Sequence, residues 1–159
     1  MPAPVAGQVM TASGPRYAGF WIRFLAHIID SIVLNILFIP VIVIFVVAVA
    51  VPASMHREPS TGASILIGTL ILVAAFGIPW LYEAYCTSSI WQATLGKRAI
   101  QLKVTDCDGG RLTFGRATGR HFAKILSGII FGIGFIMAGF TERKQALHDM
   151  IAGTLVERR

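Results

Sequence analysis

Hydrophobic and polar positions divide the chain into three apolar runs, with a polar and basic stretch between the second and the third. The first run, Phe24 to Val51, is apolar apart from His27, Asp30, Ser31 and Asn35. It exceeds the ~20 residues a helix needs to span a bilayer. Pro40 lies inside it and predicts a kink, and Pro52 with "PASMHREPSTG" ends it. The second run, from about Ala63 to Tyr82, predicts another span, with Pro79 near its end. The third, Ile125 to Phe140, has only sixteen residues. As a helix it covers ~24 Å, short of the ~30 Å hydrocarbon core. It crosses only by borrowing the turns that hold Arg120 and Lys124, whose long side chains can snorkel. Gly128 and Gly132 form a GxxxG pattern that permits close helix approach.

The polar middle has a different period. Ile100, Leu102 and Val104 alternate with Gln101, Lys103 and Thr105, which predicts a strand with one apolar face. "DGG" at Asp108 to Gly110 is a turn signal, and "RLTF" after it is expected to return as a second strand. The expectation is a small hairpin lying on the membrane surface. The tail "ERKQALHDMIAGTLVERR" predicts an amphipathic surface helix around Gln145 to Ile151, followed by a short extended end. Residues 1–15, rich in Pro, Ala and Gly, read as a flexible tail, which leaves 16–159 as a single membrane domain. "AVAVPAS" around Ala50 resembles a cleavage site, but it would end a signal peptide about twice the usual 15–30 residues, so the span is expected to stay uncleaved.

Composition supports the membrane reading. The 159 residues are 55% hydrophobic and 14% charged, against about 25% charged in soluble domains. The net charge is +6, but the basic residues flank apolar runs, so they speak for membrane topology rather than nucleic acid. The loop between the first two spans holds only Arg57. The loop after the second holds Lys97, Arg98, Lys103, Arg111, Arg116, Arg120 and Lys124. The positive-inside rule therefore places the N-terminus and this long loop in the cytoplasm, in a cell inner or plasma membrane. The tail carries Arg143, Lys144, Arg158 and Arg159. A full third crossing would put them outside, and a re-entrant segment would keep them inside; both remain open at this level. Cys86 and Cys107 have neither a framework nor a ligand spacing, so no disulfide and no metal site is expected.

The polar residues inside the apolar runs are the candidate site. Arg23, His27 and Asp30 are spaced i, i+4, i+7 and share one helical face. Asp30 lies ~10 Å deeper than Arg23. A lone carboxylate there costs several kcal/mol unless it is protonated or paired, so it implies a partner, either Arg23 or a residue of another segment. Asp30 is read as a structural ion pair or as a cation or proton site. Glu83, at the end of the second span, is a further buried acid. Arg116, Arg120 and Lys124 recur every four residues, as a stripe touching anionic lipid headgroups or, for Arg120, as a partner of Asp30 or Asp149. The His148-Asp149 pair lacks the further His and Asp ligands of an HD hydrolase. Gly96-Lys97 lacks the upstream Gly and following Ser/Thr of a P-loop. With no nucleophile–base pair, metal set or cofactor fingerprint, the expectation is a protein that is not an enzyme and carries no cofactor.

The whole pattern, from "YAGFWIRFLAHIID" through "TLGKRAIQLKVTDCDGGRLTFGRA" to "LHDMIAGTLV", resembles the RDD family, named for one arginine and two aspartates. The resemblance implies an integral membrane protein that transports some ligand, with Arg23, Asp30 and Asp149 as its signature residues. The expectation is an all-α membrane protein with two transmembrane helices, a short third segment, a cytoplasmic surface hairpin and an amphipathic C-terminal helix. The expected function is movement of a small cation or proton. Asp30 would bind the ion, Arg23 would tune the pKa of Asp30, and Asp149 would act as a cytoplasmic-side partner, with Glu83 and Arg120 as further candidates. A chain this small would act as a homo-oligomer or with a membrane protein partner. The alternative is a non-catalytic membrane scaffold or accessory subunit that binds a partner protein or anionic lipid.

Overall fold

The computed structural model describes residues 16–55, 60–129 and 133–159. The N-terminal tail, His56 and Arg57 of the first loop, and Gly132 of the GxxxG pattern lie outside the described residues. Helix α1 spans Phe20–Phe45, runs through Pro40 and loosens into a π-helical turn over Val46–Ala50 before the short α2, Val51–Ser54. Helix α3 spans Thr61–Ser88, with the Ser60 hydroxyl accepting from the Ala63 amide at its start. Both are long and apolar enough to cross a membrane. At 1.5 Å per residue the 26 residues of α1 reach ~39 Å, more than the hydrocarbon core. Their outer halves, with Ile32, Ile36, Ile39 and Val43 on α1 and Ile65, Leu70, Val73 and Phe76 on α3, are exposed on the protein surface. Lipid is the solvent such faces require.

The other ends of α1 and α3 carry the packed body of the protein. The short α4, Leu95–Ala99, lies against α1. A Cβ at Gly96 would collide with the Ala26 carbonyl and stand 2.8 Å from the Asp30 carboxyl carbon, so glycine permits this approach. Strand β1, Leu102–Asp106, follows. The turn after it is real: Asp106 caps the Asp108 and Gly110 amides, and Gly109 takes a φ of +81°.

The expected hairpin does not form. "RLTF" leads into a helix: Leu112 is buried, Thr113 accepts from the Arg116 and Ala117 amides, and α5 runs Phe114–Ile129. The partner of β1 is the chain's far end, β2, Thr154–Arg158, paired antiparallel from Leu102↔Arg158 to Asp106↔Thr154. The Thr113 cap competes locally for the backbone that a return strand would use. The apolar "TLV" of the tail instead buries Leu155 and Val156 on the sheet. Residues 16–18 join the far edge of β2 through the Tyr17↔Glu157 bridge and the Ala18 amide on the Val156 carbonyl.

That sheet decides the third segment. After α5 come α6, Ile133–Ile136, a 3-10 turn over Met137–Gly139, and α7, Leu147–Ala152. The axes of α5 and the Ile133–Gly139 helix differ by 116°. Helix α7 packs back on α5, and β2 pairs with β1 and with the residues before α1. The C-terminal strand thus lies beside the entry to α1 and the loop after α3, at the same end of both spans. The third segment is bent, and the strand that follows it lies at the same end of both spans as the basic loop. The tail helix and extended end occur where the sequence placed them.

The core under the sheet is built of alanines and branched aliphatic residues: Ala18, Ala26, Ala84, Leu102, Val104, Leu112, Ala117 and Val156. Alternation along β1 turns Leu102 and Val104 inward, both fully buried. Beneath this core, at the level where the helices enter the membrane, lies a layer of charges.

Candidate functional site

Three carboxylates organise that layer, and each has a different kind of partner. Asp149 is fully buried. Its Oδ1 accepts Arg120 Nε at 2.9 Å and Nη2 at 2.6 Å. Its Oδ2 accepts Arg23 Nη1 and the Ala146 amide, the latter at 3.2 Å. Arg23 also donates to the carbonyls of Ala18 at 2.7 Å and Lys144 at 2.6 Å. One acid thus ties α1, α5 and α7 together. Burial by itself would raise the Asp149 carboxyl, but the guanidiniums of Arg120 and Arg23 outweigh it and hold the group well below the usual carboxylate range. Its neighbour His148 is pushed down to about 2 by burial and by Arg120, so the imidazole is neutral.

Asp30 has no cationic hydrogen-bond partner among the described residues. Its Oδ1 accepts the Tyr82 hydroxyl at 2.8 Å and the Gly96 amide at 2.7 Å, and its Oδ2 accepts the Thr94 hydroxyl at 2.6 Å. Of the two expected kinds of partner for Asp30, the structure realises residues of other segments and not a pair with Arg23, which serves Asp149. Helical side chains lean toward the N-terminus. Arg23, near the start of α1, accordingly extends out of the membrane toward α7 and not inward toward Asp30. The shared face does hold, since Arg23, His27 and Asp30 all line one cavity.

Glu83 is the third acid, surrounded by bases. His121 Nδ1 is 2.9 Å from its Oε2; Arg120 Nη1 and Lys97 Nζ are 3.4 and 3.7 Å from its Oε1, which also pairs with Lys124. Arg120, the largest fully buried side chain, bridges Glu83 to Asp149. Of the expected alternatives for Arg120, the structure realises pairing with Asp149 and not a headgroup contact. The stripe divides: Arg116 caps the end of α7 through the Ala152 and Gly153 carbonyls, Arg120 is interior, and Lys124 reaches Glu83.

Lys97 is the member that sequence reasoning missed. It is buried on α4. Burial, then Lys124 and Arg120, pushes its ammonium down to about 7, with Glu83 and Asp30 opposing. Thr94, Gly96 and Tyr82 were missed as well. "TLGK" is unremarkable as a phosphate loop, yet a glycine beside polar residues next to an apolar span could have signalled a close backbone approach.

The charge layer opens on a cavity of about 670 Å³. Arg23, Asp30, Glu83, Lys97, Arg120 and Lys124 supply its ionisable wall. Among the described residues no group of three His, Cys, Asp or Glu could hold a metal ion. Cys86 is buried and Cys107 exposed, both as free thiols.

Two apolar spans, a short bent segment, and buried arginine–aspartate pairing at the membrane entry define a small polytopic membrane protein. The RDD family matches residues 17–153, and the chain belongs to it. It is similar to the uncharacterized protein YxaI of Bacillus subtilis (strain 168), 43% identical over 87% of this chain and 95% of that one. It is also similar to the uncharacterized membrane protein YteJ of the same organism, 32% identical over 88% of this chain and 80% of that one. YckC, again from that organism and uncharacterized, is 27% identical over 87% of this chain and 83% of its own length. No solved structure matches.

Proposed function

We propose that this protein moves protons across the membrane, the proton being favoured over a metal cation as the transported species. The observation that carries the reading is the cavity at the membrane entry, where ionisable groups of four elements meet: Asp30 of α1, Glu83 of α3, Lys97 of α4 and His121 of α5. Four lysine and arginine side chains line it against two acids, a wall that repels a metal cation but tolerates exchange of protons. Lys97, brought to about 7 and 3.7 Å from Glu83, is the group that gains and loses a proton near neutral pH. Asp30 and Glu83 fix the field it feels, while Asp149 with Arg23 and Arg120 holds the three segments in place. Intramembrane ionisable residues commonly serve such relays. No catalytic role is assigned.

The outer halves of α1 and α3 are single, lipid-facing helices, so one chain encloses no route through the rest of the bilayer. A second copy or a membrane partner completes it. The basic loop and the basic tail share one side, which the positive-inside rule makes the cytoplasm of a cell membrane. A second reading, a scaffold or accessory subunit, is favoured by the full pairing of Asp149, which a purely structural role also explains.

The test is proton flux into liposomes carrying the full chain and a trapped pH-sensitive dye. Wild type is expected to dissipate an imposed gradient, and Lys97→Met to lose that flux while remaining folded. No flux above empty liposomes, or flux unchanged in Lys97→Met, would refute the proton reading and leave the scaffold.

A further inference from the structure

The cavity has two chemically different ends. Its charged wall sits at the level of Asp30 and Glu83. Leu34 lies four residues beyond Asp30 on α1, and Pro79 four residues before Glu83 on α3. The two helices run in opposite directions, so both residues stand ~6 Å deeper toward the bilayer centre. Ile125 directly follows Lys124 on the same wall. Phe20, Phe24 and Val156 also line the cavity around the charges, so it is mixed at the membrane entry and apolar below.

Its charges do not balance. Arg23, Lys97, Arg120 and Lys124 line it against Asp30 and Glu83, and even with Asp149, which pairs with two of them from outside the lining, four cations meet three acids. The acids are also unevenly used. Asp149 is held by Arg23 and Arg120, and Asp30 is filled by three neutral donors. Glu83 alone serves Lys97, Lys124 and the remaining arm of Arg120. A surplus cation in a low-dielectric site is unfavourable: without an anion beside it Lys97 gives up its proton readily, and an anion there would keep it charged.

We propose that this cavity binds an anionic amphiphile, an acidic phosphate or carboxylate head on one long hydrocarbon chain. The head sits beside Lys97 and Lys124, which it shares with Glu83 Oε1, and the chain runs past Leu34 and Ile125. About 670 Å³ falls within the ~300–1,000 Å³ range of sites that enclose most of a ligand of this size. The head supplies the negative charge that the wall lacks, and the hydrocarbon meets the apolar end. A free inorganic anion would satisfy only the first condition. This inference goes beyond proton movement and does not need it, because it stands on binding alone.

The test uses the full chain in nanodiscs of zwitterionic lipid, titrated calorimetrically with dodecyl phosphate, dodecanoate, dodecanol and inorganic phosphate. Dodecyl phosphate or dodecanoate is expected to bind saturably, one per chain, at least tenfold more tightly than dodecanol or inorganic phosphate. Lys124→Gln should weaken the acids at least tenfold and leave dodecanol unchanged. Leu34→Trp, which touches no ion pair, should block the chain and weaken the acids as much. If Lys124→Gln does not fold, Leu34→Trp carries the comparison. Equal binding of dodecanol would reduce the site to a greasy slot. Inorganic phosphate binding as tightly as dodecyl phosphate would make it an anion site without a chain. Non-saturable uptake indifferent to both substitutions would be surface partitioning. Each of these results overturns the proposal. Binding without proton flux, or flux without binding, separates it from the function proposed above.

Discussion

The reassignment of Arg23 makes a quantitative prediction. Asp149→Asn preserves shape but removes the charge that holds two guanidiniums. Arg23 would keep the Ala18 and Lys144 carbonyls, and Arg120 would keep Glu83 at 3.4 Å, so neither is wholly abandoned. Breaking a buried pair from one side nonetheless costs about 3–5 kcal/mol. Asp30→Asn is milder. The new amide still accepts from Tyr82 or Gly96, but its NH2 faces the Thr94 hydroxyl, and one mispaired buried donor costs about 1–3 kcal/mol. The decisive quantity is the coupling in double-mutant cycles read by thermal or denaturant unfolding in detergent. Arg23→Gln combined with Asp149→Asn should show an interaction of about 2–3 kcal/mol, since the two side chains touch. Arg23→Gln combined with Asp30→Asn should be additive within about 0.5 kcal/mol, since they share no partner. A coupling between Arg23 and Asp30 equal to or larger than that between Arg23 and Asp149 would refute this account of the signature residues.

Three further outcomes are expected. Lys97 binds its proton less tightly in the folded state, at about 7 against an ordinary 10.5, so the unfolded chain holds more protons across that window and stability should rise with pH from about 7 to 10.5. Lys97→Met should flatten this rise, and a stability that falls over the window in wild type would contradict the burial argument. Gly96→Ala should destabilise by about 1–3 kcal/mol through overpacking against the Ala26 carbonyl and the Asp30 carboxyl, and an unchanged midpoint of unfolding would show that α4 does not press on α1. In oriented vesicles an impermeant thiol reagent should label the exposed Cys107 and a cysteine placed at Arg159 from one side, and a cysteine placed at Ser60 from the other. Labelling of positions 107 and 159 from opposite sides would mean that the third segment crosses.

Much of the architecture is a matter of composition and length, which a chain states on its own. Apolar runs long enough to span predict α1 and α3, because the bilayer forces every backbone group in them into helical bonds. Period two predicts β1, because alternation places Leu102 and Val104 on one face whatever lies opposite. The depth of Asp30 and Glu83 requires polar partners for the same solvation reason. Sequence spacing also puts Arg23, His27 and Asp30 on one face, and the cavity confirms that face. What crosses from another element is not encoded in spacing. The partner of β1 is about fifty residues away in β2, not the adjacent "RLTF", because Thr113 caps a helix and the tail brings an apolar strand to the open edge. The bent third segment leads into the same sheet, which ties both termini of the described fold together. Tertiary structure alone gives Asp149 to Arg23, from 126 residues away, and gives Asp30 to Tyr82, Thr94 and Gly96. A helix fixes which way its side chains lean, but only packing decides which charge waits there, since electrostatic pairing depends on distance in space and not on distance along the chain.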